Sequence, residues 1–430
     1  MDGFIFLYAA AIVLVGLLST RLMKVIRMPF VTGYIITGIL MGPFVFGLFF
    51  NGFDFLNAES GPVAEYVRNL GWVNNVALGF IAFSVGASFK RNTLKAVGKK
   101  VLIITVLEAV FASLLVIAAL LVAYFIFPND IPIPLVLTLG AIAAATAPAA
   151  TLMVVKQYRA KGPVTDTLLP VVALDDAAAL ILFAILFQIA SAMATGTSFS
   201  AYEMFVKPLI EIVISLAIGA ALGFVMSFAC HFFRSRGNRT GWIIFVVFAS
   251  LGLYYLFKQD FMGNMELSSL LTCMTAGAIF VNMRQDSVKE FEFLDRFTTP
   301  IYMLFFIISG ANLNLTIFVS GSGLVVLAIA LIYVIFRAGG KWLGAFSGAA
   351  ISKAEPTVKK YLGFCLIPQA GVAIGLSTTA GAALSGPGGN PLIGAMVVAI
   401  ILTSTLVYEL IGPAVTKTAL KKAGELTLER

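Results

Sequence analysis

Thirteen apolar runs, each about twenty residues long, divide this chain, at approximately 4–22, 30–50, 71–89, 101–127, 132–155, 164–192, 208–232, 240–257, 265–283, 297–318, 323–351, 361–384 and 391–415. In hydrocarbon no water is available to backbone N–H and C=O groups, so segments of this length cross a bilayer as helices. The chain has 430 residues, 60% hydrophobic and 12% charged, and a mean hydropathy of +0.99. Those values leave no room for a sizeable soluble domain. The expected fold is an all-α polytopic membrane protein with about 13 transmembrane helices, one unit over 1–416 followed by a short tail, 417–430.

The formal charge of +8 invites a nucleic-acid reading, and the placement of the basic residues rejects it. Numbering the connections alternately puts 24 of the 29 Lys and Arg on one side, among them Arg21, Lys90, Arg159, Arg239, Lys353 and Lys422. The other side holds Arg68, Lys207 and Lys258, and the last two, Arg337 and Lys341, fall inside a span. By the positive-inside rule the crowded side is cytoplasmic, which predicts an outer N-terminus and a cytoplasmic C-terminus. Met1-Asp2 offers no basic region ahead of the first span, so that span reads as a retained helix. Cys230, Cys273 and Cys365 lie within spans with no metal-ligand spacing. The single histidine, His231, falls at a helix end and reads as interfacial.

Asp175 and Asp176 sit inside the run 164–192. About eleven residues from its start, at ~1.5 Å per residue, they lie roughly 17 Å deep and near the midplane of a ~30 Å core. A carboxylate there costs on the order of 2.5–3.5 kcal/mol, and two neighbours repel each other. Such a pair marks a water-accessible site that receives a cation. Two spans also look broken. The fifth carries Thr146-Ala147-Pro148 near mid-depth and the twelfth carries Pro368-Gln369-Ala370-Gly371. Irregular backbone at that depth survives only inside protein or along a cavity. The fifth and twelfth spans run in opposite directions, the signature of inverted repeats whose half-helices meet at a midplane site.

Arg337 and Lys341 stand at i, i+4 on one face of the eleventh span. Each either snorkels to the surface or pairs with a carboxylate of the empty site. Glu108 is divided between interfacial pairing and a role in the site, and Glu211 and Glu409 read as structural, within two turns of a membrane face. A phosphate-binding glycine loop, a His/Cys metal cluster and a nucleophile with a histidine base are all missing from the sequence, so enzymatic chemistry is not expected.

These residues resemble the bacterial monovalent cation/proton antiporters, in the branch of the Na+/H+ exchangers and K+/H+ efflux antiporters. The resemblance is carried by Asp175-Asp176, Thr146-Ala147-Pro148, Gly340-Lys341-Trp342-Leu343-Gly344, the break at Pro368, and Phe305-Phe306 with Gly310 and Leu313-Asn314-Leu315. It implies a homodimer in the bacterial cytoplasmic membrane, each protomer divided into a mobile core (roughly 101–192 and 323–415) and a dimerisation scaffold. It further implies that Asp176 is the principal cation- and proton-binding carboxylate, that Asp175 is matched with Lys341, and that Thr146 with unwound backbone completes the oxygen shell. The expected cargo is Na+ or Li+ exchanged for H+, with no cofactor; K+/H+ exchange, Na+-coupled uptake of an organic anion and a channel stay open as alternatives. Gln369 and Ala370 stand where many relatives carry an Arg and a Glu, so the charge compensation expected at that break is missing. Asn314 replaces an aspartate near the end of the tenth span.

Overall fold

The computed structural model describes residues 3–26, 30–49, 61–86, 89–127, 131–147, 151, 154–155, 158–195, 207–233, 235–257, 267–284, 287–315, 323–386 and 388–426. Regular structure among them is helical throughout: α1 (Gly3–Ile26), α2 (Phe30–Met41), α3 (Pro62–Asn69), α4 (Trp72–Gly86), α5 (Arg91–Ile126), α6 (Ile133–Ala143), α7 (Pro163–Thr195), α8 (Lys207–Phe232), α9 (Arg236–Leu256), α10 (Ser269–Met283), α11 (Ser287–Ala311), α12 (Gly323–Ile351), α13 (Pro356–Cys365), α14 (Gly371–Leu384) and α15 (Pro391–Lys422). Eight segments are long and apolar enough to cross a bilayer alone. α4, α6, α10, α11 and the α13–α14 pair fall on the other five apolar runs, α6 covering the described first part of the fifth, so the expected all-helical membrane architecture is the observed one.

Two spans depart from simple helices, as their prolines require. Residues 144–147 leave the helical path after α6, and 366–370 do so between α13 and α14. Pro148 itself lies outside the described residues. α5 turns sharply at Gly98, whose φ of 68° an L side chain resists, and this separates the lysine-rich entry from the apolar span. α15 runs to Lys422, seven residues past its expected end. Glu409 is therefore deeper than the sequence reading placed it, one turn from Gly412, which packs directly against Pro368.

Lipid supplies no hydrophobic force between helices, so close backbone approach has to hold them together. The tightest seam joins α5 to α12. Gly340, Gly344 and Gly348 recur every fourth residue on α12, and a Cβ on any of them would meet the α5 backbone at Ala112, Glu108 and Ile104. Gly38 against Gly310 joins α2 to α11, and Gly86 against Gly277 joins α4 to α10. Packing falls into two sets on this basis. α5, α6, α7 and α12–α15 pack among themselves; α1, α2, α4 and α8–α11 form the other set.

The basic connections gather at one end. Arg91 N donates to Asn282 Oδ1 (2.6 Å), Arg239 pairs with Glu290 (2.7 Å), and Lys161 N donates to the Glu425 carbonyl (3.0 Å). The α5–α12 seam yields a direct test. Gly344→Val should force the two backbones apart and cost about 1–3 kcal/mol. Thermal unfolding in detergent reads this loss, and an unchanged midpoint would contradict the seam.

Candidate functional site

The two breaks touch each other. Ala147 N donates to Pro368 O (2.9 Å), Thr146 Oγ1 to Leu366 O (3.4 Å) and Thr151 Oγ1 to Cys365 O (3.0 Å). α6 and α13 both end here, so both aim orphaned carbonyls at the crossing. Each C-terminal end carries roughly −0.5 of an elementary charge. Together they amount to about one negative charge, offset in part by the N-terminus of α14 at Gly371, and the crossing is buried.

Arg337 answers it. Its Nε donates to Ala143 O (2.9 Å), Nη2 to Ala145 O (2.5 Å) and Nη1 to Ile367 O (2.7 Å), so one guanidinium ties both helix ends. Its Cζ lies 4.6 Å above the Tyr408 ring, and the residue is fully buried. Arg337 therefore does not snorkel, and among the described residues it pairs with no carboxylate, contrary to both sequence readings, because the break carbonyls lie nearer and cannot be left bare. The charge compensation missing at Gln369 and Ala370 is present after all, supplied from α12. Gln369 completes the set, its Nε2 lying 3.3 Å from Ile142 O and 2.9 Å from the Tyr333 hydroxyl.

Lys341, one turn along α12, faces the carboxylates. Its Nζ lies 2.9 Å from Asp175 Oδ2 and 2.6 Å from Glu108 Oε2, and it donates to Ala144 O. That last carbonyl would meet the N–H of residue 148 in an unbroken helix, but Pro148 has none to give. Lys341 thus fills a gap that the sequence itself creates, and it too is fully buried. Asp175 is wholly enclosed. Asp176 is 5% exposed, and its Oδ1 has no hydrogen-bond partner among the described residues. One ammonium thus stands among three carboxyl groups, two of which it touches. Of the two aspartates, Asp176 has the oxygen to spare; Glu108, paired with Lys341 through Oε2, also keeps its Oε1 without a hydrogen-bond partner among the described residues.

A cavity of about 770 Å³ opens between the two helix sets, at the end away from the basic connections. Arg68, Gln188 and Glu211 line it together with Leu78, Leu180 and Thr378. Leu180 is one helical turn from Asp176 along α7. Glu211 is buried and accepts from Gln188 Nε2 (2.6 Å), a bond from α8 to α7.

Glu108 is the residue that sequence reasoning left undecided. Depth alone could not place it, whereas the glycines every fourth residue on α12 signal the close seam that brings α5 to Lys341. Tyr333 and Tyr408, which support Gln369 and Arg337, carried no signal, since a tyrosine in an apolar run reads as packing. Thr146, Ala147, Pro368, Gln369, Ala370 and Gly371, expected from the sequence at the breaks, all fall at the crossing; Pro148 lies outside the described residues.

The arrangement around Arg337 predicts that Arg337→Lys will not substitute. A single ammonium cannot span three carbonyls on two helix ends, and each buried group left bare costs about 1–3 kcal/mol. The variant should lose on the order of 2 kcal/mol or more of stability by thermal unfolding. A Tm equal to wild type would mean that the guanidinium is not what holds the crossing.

Sequence and structure comparisons identify the fold and the family. The chain is similar in fold to the sodium proton antiporter MjNhaP1 of Methanocaldococcus jannaschii, with a TM-score of 0.73 at 16% identity over 98% of both chains for its structure at pH 8. For the electron-microscopy structure of the same protein the TM-score is 0.74 at 15% identity over 100% of both chains. No curated protein matches the sequence. The family described as sodium/hydrogen exchanger, transmembrane, matches residues 9–422. This chain is a member of the sodium/hydrogen exchanger family, a multi-pass membrane protein that transports monovalent cations against protons.

Proposed function

We propose that the protein exchanges Na+ or Li+ for protons electrogenically, by alternating access of a midplane site formed by Asp175, Asp176 and Thr146. The observation that carries this reading is the unequal pairing of the carboxylates. Asp175 is held by Lys341, while Asp176 keeps a buried oxygen with no partner among the described residues. A dehydrated monovalent cation needs oxygen ligands and negative charge, and a proton satisfies the same oxygen. The two compete for one place. If only loaded states reorient, competition becomes obligatory exchange. The name of MjNhaP1, a sodium proton antiporter, favours Na+ over K+.

The charge sorting orients the protein with its N-terminus outside and its C-terminus in the cytoplasm of a bacterial cell. With that orientation the 770 Å³ cavity opens outward, which supports an outward-facing reading of this arrangement. The moving unit is the set α5–α7 with α12–α15, sliding against the scaffold. The protein works as a homodimer in lipid, and α1 offers an apolar face for it, with Leu14, Leu17, Leu18 and Leu22 each more than half exposed.

Asp176→Asn should abolish exchange while the protein still inserts and purifies, because the amide neither titrates nor supplies charge. Proteoliposomes loaded with a pH dye and given Na+, Li+ and K+ in turn test this. Wild-type rates in the Asn variant would sink the site assignment, and a response to K+ alone would redirect the cation. Electrogenic exchange also predicts that an imposed K+-valinomycin potential changes the Na+-driven proton flux, at ~2.3 kcal/mol per charge per 100 mV. A flux indifferent to that potential would make the exchange one-for-one.

A further inference from the structure

Glu108 poses a charge question that the Asp pair alone does not answer. Its carboxylate is fully buried, 2.6 Å from Lys341 Nζ, and within hydrogen-bonding reach of the Asp175 carboxyl. Three elements pack around it. α12 contributes Lys341, α7 contributes Asp175 with Asp176 beyond it, and α6 contributes the Ala144 carbonyl. Arg337, the nearest other cation on α12, spends its donors on Ala143, Ala145 and Ile367. A carboxyl group at this depth with no function would be a standing cost.

We infer that Glu108 is the permanent counter-ion of Lys341, a positioning residue that frees Asp175 to bind and release a proton in every turnover. The inference rests on the antiport reading and sets its proton count. With a cation bound, Asp175 and Asp176 are both ionised and the Lys341–Glu108 pair is neutral, so the loaded site carries one net negative charge. Release of the cation to one side and uptake of one proton on each aspartate leaves the site neutral. Two protons then cross for each cation, and one charge moves. Were Glu108 absent, protonating Asp175 would strand the Lys341 ammonium in a dry interior. Asp175 would stay ionised and locked to Lys341, Asp176 alone would titrate, and exchange would be one-for-one.

The seam explains how Glu108 reaches this place. A Cβ on Gly344 would collide with the Glu108 backbone, so glycine there lets α5 come close enough for a glutamate to meet a lysine on the facing helix. Gly340 does the same one turn away at Ala112. The counter-ion is thus built into a rigid seam inside one helix set, where it travels with Lys341.

The test uses the full-length protein in proteoliposomes, reading Na+-driven proton flux against an imposed potential and the pH gradient that nulls it at zero potential. In the wild type, a tenfold Na+ gradient should be balanced by half a pH unit. Glu108→Gln should need a full unit and lose its response to voltage, whereas Glu108→Asp should keep the wild-type balance. The double variant Glu108→Gln/Lys341→Gln, which removes charge and counter-charge together, should regain voltage-sensitive exchange. That recovery decides the matter even if Glu108→Gln alone folds poorly or is inactive. A Glu108→Gln protein with the wild-type balance point, or a double variant that regains no voltage response, would overturn the role of Glu108. A wild-type protein that exchanges none of Na+, Li+ and K+ would instead bring down the antiport reading beneath it.

Discussion

Two helix C-termini meeting in the buried interior is the constraint on which the rest of this structure depends. α6 and α13 each stop short at mid-depth and turn their last carbonyls toward one another. In solvent those groups would be hydrated; here each bare carbonyl costs free energy comparable to a lost hydrogen bond. Arg337 resolves the problem because its five donors lie in a fixed plane that spans both helix ends. A lysine in its place brings one charge but no fork. The crossing could not be assembled from the two broken segments alone, so α12 is as much a part of the break as α6 or α13.

Once the carbonyl ends are neutralised, the balance of charge nearby changes meaning. Lys341 is left for the carboxylates, with one bond diverted to the Ala144 carbonyl that Pro148 leaves without its helical donor. Against it stand Glu108, Asp175 and Asp176, so the cluster is short of positive charge by design of its sequence. A site that binds cations and protons in turn needs this deficit. A fully compensated cluster would have no affinity for either, and a wholly uncompensated one would not stay folded in hydrocarbon.

Much of this was legible before any coordinates, and the legible part has a common cause. Hydrocarbon forces apolar runs into helices, so every one of the thirteen runs holds helix among the described residues, and prolines at mid-depth announce breaks. The depth of Asp175 and Asp176 follows from counting residues. What the sequence hid depends on partners rather than on depth. Arg337 reads the same from sequence whether it reaches lipid headgroups, a carboxylate or three carbonyls. Glu409 seemed close to a membrane face only because α15 was drawn seven residues short, its lysine-rich end being too polar to count as span. Glu108 became legible only through Gly340, Gly344 and Gly348, whose spacing reports a close seam but not what meets across it.

The distribution of those seams bears on motion. Backbone-to-backbone contacts hold α5 to α12 within one set, and α2 to α11 and α4 to α10 within the other. Between the sets lies the cavity, bordered by side chains and crossed by the bond from Gln188 to Glu211. Packed glycine seams resist sliding, since any shift drives Cα atoms into a neighbouring backbone. A boundary of side chains and water can exchange partners at little cost. Relative movement is therefore cheapest along the cavity wall and dearest along the α5–α12 seam. Asp175, Asp176, Lys341, Glu108 and Arg337 all lie on the same side of that boundary, so a displacement along it carries the whole charge cluster together and leaves every ion pair in it unbroken.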